Sequence, residues 1–329
     1  MTSVTLGMTG DVMLGRNVNQ RQQTREPGAV WGNVLERLQS LDGLVVNLEC
    51  CLSMRGEQWT RTYRPFHFRA HPDWAIPALR TAGVDCCTLA NNHLLDYGER
   101  ALLDTVSSLD EAGIATVGAG TDLTAALDPA TVLVRDVQVA VVSFTDNTPE
   151  YGANGGPGVA RIEMEPGNDR TVALVDEALS RARTAEPDLL VASLHWGPNM
   201  VETPASTYER FGRWLVDRGV DVIHGHSAHL FQGIEQYGDG LICYDMGDFV
   251  DDYAVDSVRR NDRSFLFQLL LRDGEPETLR LTPTEIADCT VCEAGTDQAK
   301  WARKRMRRLS EPYGTDFERD GEELLLDLR

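Results

Sequence analysis

The sequence predicts an α/β fold in which helices cover both faces of a mixed β-sheet. Several short segments are apolar at nearly every position, for example 139–144 and 189–194, as is typical of strands buried on both faces. Longer amphipathic segments alternate with them, which indicates helices packed on the sheet. The later strand segments lie close together with short turns, which favours a mixed sheet over a purely parallel one.

The predicted strands and helices alternate along most of the chain. Strands are predicted at residues 4–8, 44–48, 84–90, 139–144, 189–194, 220–223, 241–244, 265–271 and 278–284. Helices are predicted at 73–82, 99–112, 171–185, 208–218 and 301–309, and a glycine follows each of the first two, as at many helix ends. We predict a main domain over residues 1–290 and a C-terminal helical extension, 291–329, packed on it.

Composition narrows the expected partners and location. The 329-residue chain has 51 acidic residues against 31 Lys and Arg, which gives a formal net charge of −20. Such a surface repels nucleic acid and anionic membranes, so neither is expected as a partner. The sequence has no apolar run long enough to span a membrane and no signal-peptide pattern, which predicts a cytoplasmic protein. It leaves the oligomeric state open.

Acidic and amide side chains follow the first two predicted strands. Asp11 comes after the first strand, at a turn that Gly10 introduces. Asn47 and Glu49 end the second strand and lie on the same side of it. A carboxylate at the end of an apolar strand is costly unless it is paired or binds a metal, so a salt bridge and a metal ligand are both open for Glu49.

Histidines are concentrated at strand ends. Five of the seven in the chain follow three predicted strands: His93, His195, His224, His226 and His229. In α/β folds, ligands bind at the carboxyl ends of the strands. Histidine combined with carboxylates and amides suits a divalent ion such as Mn, Fe, Zn, Mg or Ca. The sequence therefore predicts a metal site at this edge of the sheet.

Other polar residues are expected to support this site or to bind substrate. Asp248 follows the strand at 241–244 and can orient a ligand histidine. The neighbouring carboxylates at 251, 252 and 256 are assigned to a solvated loop. Arg61 and Arg64 follow a Gly-containing loop and can clamp an anionic group, although surface ion pairs are an equally simple interpretation.

Six motifs in order along the chain resemble the CapA family, named for poly-γ-glutamate capsule synthesis. They are Gly10-Asp11-Val-Met-Leu-Gly-Arg16, Val46-Asn47-Leu-Glu49, Ala90-Asn-Asn-His93 with Asp96-Tyr-Gly98, Ser193-Leu-His195-Trp-Gly197, Gly225-His226-Ser-Ala-His229 and Gly247-Asp248-Phe-Val250. The resemblance runs from about residue 4 to about residue 272. It implies a fold similar to the calcineurin-like metallophosphoesterases, with two mixed β-sheets sandwiched between helices.

The chain departs from the phosphoesterase pattern at three motifs. Val12 and Met13 follow Asp11 where Asp-x-His is typical, and Asn47 and Glu49 replace the second motif. The Gly225–His229 motif is one residue longer than Gly-His-x-His. The ligand set thus resembles one suited to a single ion or a weakened pair, whereas two-metal catalysis needs a full set of ligands.

The resemblance implies a metal-dependent enzyme and suggests roles for individual residues. The candidate metal ligands are Asp11, Glu49, Asn92, His195 and His226. The candidate catalytic residues are Asp11, His93, His195 and His229. Arg61, Arg64 and Asn91 are candidate substrate contacts. Asp96, His224 and Asp248 are expected to contact the ligands and catalytic groups and to hold them in place, without binding the ion themselves.

Three functions are compatible with these residues. The first is metal-assisted acid–base chemistry on a peptide or amino-acid-derived substrate, such as the α-carbon epimerisation of a CapA-like branch that includes lasso-peptide epimerases. The second is phosphoester hydrolysis of a small anionic substrate, with His93 as the acid for the leaving group. The third is a non-catalytic binding protein that kept the fold.

Overall fold

The computed structural model describes residues 3–329, and two large β-sheets form its centre. The strands are β1 (Ser3–Val12), β2 (Gly43–Leu48), β3 (Cys51–Leu52), β4 (Arg69–Ala70), β5 (Cys86–Thr88), β6 (Ala115–Val117), β7 (Ala119–Gly120), β8 (Ala130–Val134), β9 (Val137–Thr145), β10 (Gly158–Val159), β11 (Leu189–His195), β12 (Val222–His226), β13 (Ile234–Tyr237), β14 (Gly240–Cys243), β15 (Asp248–Val250), β16 (Arg263–Arg272), β17 (Glu275–Ala287), β18 (Thr290–Glu293), β19 (Glu318–Asp320) and β20 (Glu323–Asp327).

The helices surround these sheets. The α-helices are α1 (Arg16–Gln22), α2 (Leu35–Gln39), α3 (Pro72–Ala82), α4 (Gly98–Glu111), α5 (Leu123–Ala126), α6 (Asp169–Arg183), α7 (Ser206–Val216) and α8 (Thr296–Ser310). Short 3-10 helices lie at Pro27–Val34, Pro149–Tyr151 and Glu311–Tyr313.

Both large sheets are mixed, as predicted. The ten-stranded sheet has the order β19-β20-β17-β16-β1-β2-β5-β6, and β15 and β18 pair with β1 and β17. Strands β15, β1, β2, β5 and β6 are parallel, whereas β16, β17, β18, β19 and β20 add antiparallel pairs. The six-stranded sheet has the order β13-β14-β12-β11-β9-β8, with antiparallel strands at its two edges.

Three apolar layers hold the sheets and helices together. The middle layer joins the two sheets, where Leu6 and Met8 of β1 pack in one cluster with Val141 and Val191. A second layer packs helices α3 and α4 on the outer face of the ten-stranded sheet. A third packs α6 and α7 on the outer face of the six-stranded sheet. The architecture is therefore the two-sheet α/β sandwich that the family resemblance implies.

The C-terminal segment is not purely helical, contrary to the sequence prediction. Helix α8 occupies its first part, but β20 pairs with β17 and thereby extends the ten-stranded sheet. Met306 and Leu324 belong to the same apolar cluster as β1. The segment after residue 290 thus adds strands to the ten-stranded sheet. The domain boundary at residue 290 stays a prediction.

Most predicted elements occur, with shifted ends. Strand β5 covers only three residues of the predicted 84–90, and β12 begins and ends later than the predicted 220–223. In the part of the chain that the structure describes, residues 3–329, no helix has the length and apolar character needed to cross a membrane. A cytoplasmic location stays a prediction.

Candidate metal centre

Asp11 lies at the middle of a group of buried polar side chains. It is the penultimate residue of β1 and pairs with Asn47 of β2 and Asp248 of β15, so the predicted turn at this position is wrong. The strand continues because the Asp11 amide donates to Gly247 O at 2.9 Å. Gly10 makes this approach possible, since a Cβ there would lie 1.7 Å from the same carbonyl oxygen.

Asp11, His195 and His226 form a tight triangle of possible ligand atoms. The two histidine Nδ1 atoms lie 2.8 Å apart, and each is 3.8 Å from Asp11 Oδ1. The circle through these three atoms has a radius of about 2.0 Å, the usual bond length from zinc to a histidine nitrogen or carboxylate oxygen. Ser193 supports the triangle, because its hydroxyl lies 2.8 Å from His226 Nε2.

A second possible ligand set shares Asp11 and adds His229 and Asp248. His229 Nδ1 lies 2.8 Å from Asp248 Oδ1 and 3.4 Å from Asp11 Oδ2. Burial alone would lower the pKa of His229, but the Asp248 and Asp11 carboxylates hold it well above its usual value. Asp248 was predicted only to orient a ligand histidine. It contacts His229 in this way, but it also belongs to the second ligand set itself.

Glu49 faces the first triangle from the end of β2. Its Oε1 lies 3.8 Å from His195 Nε2 and 3.9 Å from His93 Nε2, and no hydrogen bond satisfies it. Its Oε2 accepts a 3.0 Å hydrogen bond from the Tyr253 hydroxyl. Burial, together with the Asp11 carboxylate, raises the pKa of Glu49 well above its usual value.

The two adjacent amides after β5 have different environments. Asn92 Oδ1 is buried without a hydrogen-bond partner, as a ligand oxygen would be before it binds an ion. Asn91 was expected to contact substrate, but it is fully buried and its amide donates to Leu48 O at 2.9 Å. Its side-chain oxygen, Oδ1, accepts a hydrogen bond from the His93 backbone amide. Asn91 therefore shapes the turn, and its expected substrate contact is wrong.

His93 and Asp96 form a buried hydrogen-bonded pair. His93 Nδ1 lies 2.6 Å from Asp96 Oδ2, and the His93 ring stacks on Phe68 with centroids 3.8 Å apart. Burial lowers the pKa of His93, and the neighbouring Asp96 only partly offsets this. Asp96 also accepts a 2.9 Å hydrogen bond from the Tyr151 hydroxyl. This carboxylate thus fixes the imidazole orientation and leaves Nε2 facing Glu49.

His224 lies below the ligand sets, between the two sheets. Its Nε2 donates to Thr9 O at 2.7 Å, while its Nδ1 has no hydrogen-bond partner. Burial lowers its pKa from 6.5 to about 4. Its ring contacts the ring of His226 edge-on, with centroids 5.0 Å apart. This position fits the supporting role predicted for His224.

The two predicted arginine contacts differ in their surroundings. Arg61 is exposed and its guanidinium lies over the Trp59 ring, so its placement agrees with a surface interpretation. Arg64 is largely buried and donates to Asn92 O and, at 2.6 Å, to Thr148 Oγ1. Arg64 therefore anchors the 59–68 loop to the turn that carries Asn92 and His93.

Two of the carboxylates predicted on a solvated loop are buried, because the side chain of Asp252 is 2% exposed and Asp251 is 4% exposed. Ser193, Tyr151 and Tyr253 all contact candidate site residues and were not singled out. Ser193 had a usable signal, because it precedes His195 by two residues and so lies on the same face of the strand.

The buried polar atoms fit a divalent ion. Four oxygens around the cluster are buried without a hydrogen bond: Asp11 Oδ2, Glu49 Oε1, Asn92 Oδ1 and Asp248 Oδ2. Leaving such groups unpaired is costly, and a bound cation removes that cost. Carboxylate, amide and imidazole ligands suit Mn, Fe, Zn, Mg or Ca, and the set does not choose among them.

Comparisons with known proteins identify the family of the chain and several relatives. The family model described as bacterial capsule synthesis protein PGA_cap matches residues 5–253. A probable polyglutamine synthesis accessory protein of Mycobacterium tuberculosis is 33% identical, over 94% of this chain and 92% of its own length. The capsule biosynthesis protein CapA of Bacillus anthracis is 29% identical, over 87% of this chain and 68% of its own length.

Two further comparisons are more distant. The PGA biosynthesis protein CapA of Bacillus subtilis is 25% identical, over 90% of this chain and 75% of its own length. Among solved structures, TT1561 of Thermus thermophilus aligns over 80% of this chain and 94% of its own, with 8% identity and a TM-score of 0.40.

Proposed function

Because the chain belongs to the bacterial capsule synthesis protein PGA_cap family, we propose that it is a metal-dependent enzyme that acts on a peptide or amino-acid-derived substrate by acid–base catalysis. The observation that carries this proposal is a pair of buried ligand sets that share Asp11, one with His195 and His226 and the other with His229 and Asp248. Glutamyl peptides are the first substrates to test, because the relatives are named for polyglutamine and capsule synthesis.

Asp11, His195 and His226 would hold the ion. Glu49 Oε1 and Asn92 Oδ1, buried oxygens without a hydrogen-bond partner, are the next candidates as ligands. A bound divalent ion polarises a carbonyl group and stabilises negative charge that develops on its oxygen. The remaining residues hold and move protons, and each has a distinct place in the cluster.

His93 and His229 make an acid–base pair whose pKa values are shifted in opposite directions. Burial keeps His93 neutral at physiological pH by lowering its pKa, so its Nε2 can accept a proton. The neighbouring carboxylates raise the pKa of His229 and keep it protonated, so it can donate one. Groups whose environments push their pKa values apart are typical of acid–base catalysis. Proton exchange at an α-carbon would use these two residues on opposite sides of the substrate.

Phosphoester hydrolysis is the second candidate, and one observation favours it. The two ligand sets share Asp11, and a carboxylate common to two sets is what a pair of neighbouring ions requires. His93, held by Asp96 at Nδ1, would then have to gain a proton on Nε2 before it could protonate the leaving group. This reaction needs both ligand sets, whereas the acid–base proposal needs only the first and leaves His229 as an acid.

One experiment separates the two reactions. The Mn²⁺-loaded protein is incubated in heavy water with α- and γ-linked glutamyl peptides and, separately, with an aryl phosphate. Deuterium uptake at a peptide α-carbon that is lost in His93→Gln supports the acid–base proposal. Phosphate release that is lost in Asp11→Asn, without deuterium uptake, supports hydrolysis instead. The variant His71→Gln, remote from the ligand sets, is the control.

A further inference from the structure

We propose that Asp245 is a positioning residue for the second ligand set, because its carboxylate joins the two turns that carry His229 and Asp248. Asp245 lies between β14 and β15 and is 2% exposed. It belongs to neither of the two ligand sets. The inference rests on the proposed function, since it concerns how that site is held in shape, but the contacts that support it need no bound ion.

Each oxygen of the Asp245 carboxylate accepts a hydrogen bond from one of the two turns. Its Oδ2 accepts from the Ala228 backbone amide at 2.7 Å, and Ala228 directly precedes His229. Its Oδ1 accepts from the Gly247 backbone amide at 2.7 Å, and Gly247 directly precedes Asp248. Both oxygens are thus engaged by backbone amides, so we assign Asp245 a role through the backbone and not as a ligand.

Strand pairing alone does not place His229. It lies three residues beyond the end of β12, in a bend between regular elements. Even so, its Nδ1 lies 2.8 Å from Asp248 Oδ1 and 3.4 Å from Asp11 Oδ2. Contacts outside the strand ladders must therefore hold this bend, and the Asp245 carboxylate supplies one of them.

The backbone on both sides of Ala228 has an uncommon conformation. The φ angle is +117° at Ser227 and +57° at His229, in the region that residues other than glycine rarely adopt. Such conformations are costly and persist only where surrounding contacts hold them. The hydrogen bond from the Ala228 amide to Asp245 is one such contact, and the Ser227 hydroxyl, 3.0 Å from Asn147 Nδ2, provides another.

The two turns need a side chain with two acceptor oxygens between them. Both partners of Asp245 are backbone N–H donors, and an ionised carboxylate can accept on each of its oxygens. Asparagine has nearly the same shape but offers one acceptor oxygen and one NH₂ donor. The substitution Asp245→Asn therefore leaves one of the two amides without its acceptor.

Hydrogen exchange of imidazole protons in the metal-free, full-length protein tests this inference. The His229 Nδ1 proton, in its hydrogen bond to Asp248, is assigned in NMR spectra by its loss in His229→Gln. We expect Asp245→Asn to speed the exchange of this proton with solvent roughly tenfold or more, as for loss of a hydrogen bond to a charged group. The His224 Nε2 proton, which is donated to Thr9 O at 2.7 Å, is the internal reference and should exchange as in the wild type.

A matched variant controls for general loosening of the fold. Asp221 directly precedes β12, at the end of the strand opposite to His226, and its carboxylate accepts from the Leu190 backbone amide at 2.7 Å. Asp221→Asn is expected to leave exchange at His229 unchanged. If Asp245→Asn does not fold, Asp245→Ser, which also loses one acceptor oxygen, is measured in its place with the same expectation.

The outcome separates this inference from the proposed function, because the comparison needs neither metal nor substrate. The inference is overturned if the wild type shows no protected His229 Nδ1 proton, if that proton exchanges equally fast in the wild type and the Asp245 variant, or if the variant speeds exchange at His224 and His229 to the same extent. A wild type that binds no metal, while its His229 proton responds to Asp245→Asn as expected, would contradict the proposed function and support the positioning role.

Discussion

Ser193 and Ser143 occupy paired positions on the neighbouring strands β11 and β9, yet only Ser193 contacts a candidate ligand. The Ser193 hydroxyl lies 2.8 Å from His226 Nε2, whereas the buried Ser143 hydroxyl has no hydrogen-bond partner. This difference makes the two residues a matched pair for testing how the candidate ligand His226 is oriented.

Replacing Ser193 is expected to weaken metal binding. Loss of a residue that orients a ligand histidine typically costs about 10–100-fold in metal affinity, and we expect a loss of this size in Ser193→Ala. The control Ser143→Ala removes an equally buried hydroxyl and is expected to bind the ion as the wild type does. Calorimetric titration with Zn²⁺ and Mn²⁺ measures both; equal affinities in the two variants would contradict the orientation of His226 described above.

Replacing Asp96 is expected to slow catalysis without releasing the ion. Asp96 orients His93, and general acid–base groups typically contribute about 10²–10⁴-fold to the rate. We expect Asp96→Asn to lose about 100-fold or more in turnover, in whichever of the two proposed reactions is detected. Metal content is measured on the same sample. Full turnover in Asp96→Asn would show that His93 does not act through this pair.

The 59–68 loop is expected to depend on Arg64 and not on Arg61. Hydrogen bonds to charged groups contribute about 1.5–3 kcal/mol, so Arg64→Met should lower the free energy of unfolding by about that much. Arg61→Met should change it by less than about 0.5 kcal/mol, as for most surface substitutions. Urea unfolding of both variants provides the comparison, and equal losses would mean that Arg64 does not anchor the loop.

His224 is expected to make the metal-free protein sensitive to acid. Its folded-state pKa of about 4 lies below the unfolded value of 6.5, so the unfolded chain binds more protons between these pH values. The stability that neutral His224 contributes is therefore present above about pH 6.5 and is lost as the pH falls towards 4.

This loss of stability can be measured by comparison with a variant that has no titratable side chain at position 224. Between pH 7 and pH 5, the wild type should lose about 2 kcal/mol more of its free energy of unfolding than His224→Gln. Denaturant unfolding of both proteins at the two pH values tests this. An equal loss would mean that another group dominates the acid sensitivity.

The sequence predicted the positions of the candidate ligands at strand ends better than it predicted their contacts. His195 and His226 end neighbouring parallel strands of the six-stranded sheet, and Glu49 follows β2 of the ten-stranded sheet, so all three lie at carboxyl ends of strands as expected. The contact between Tyr253 and Glu49 joins residues 204 positions apart. It depends on the path of an irregular loop, which hydrophobic periodicity does not encode.

Adjacent residues of the same type were the hardest to separate. Asn91 and Asn92 follow one strand and have the same chemistry, but the turn directs the first into the protein and leaves the second with a free oxygen. Asp251 looked like part of a solvated acidic run, although the pairing of β15 with β1 brings it inside. Strand β15 has only three residues, too few for a pattern to reveal it.

The most direct test of the account is metal binding by wild type and Asp11→Asn. Asp11 belongs to both ligand sets, and the substitution keeps the side-chain shape while removing its charge. Metal-free preparations of both proteins are titrated with Mn²⁺ and Zn²⁺ by calorimetry, and bound metal is quantified after gel filtration. We expect the wild type to retain the ion stoichiometrically and Asp11→Asn to lose it while remaining folded. Retention of the ion by Asp11→Asn at wild-type affinity, or its absence from the wild type, would contradict a metal centre built on Asp11.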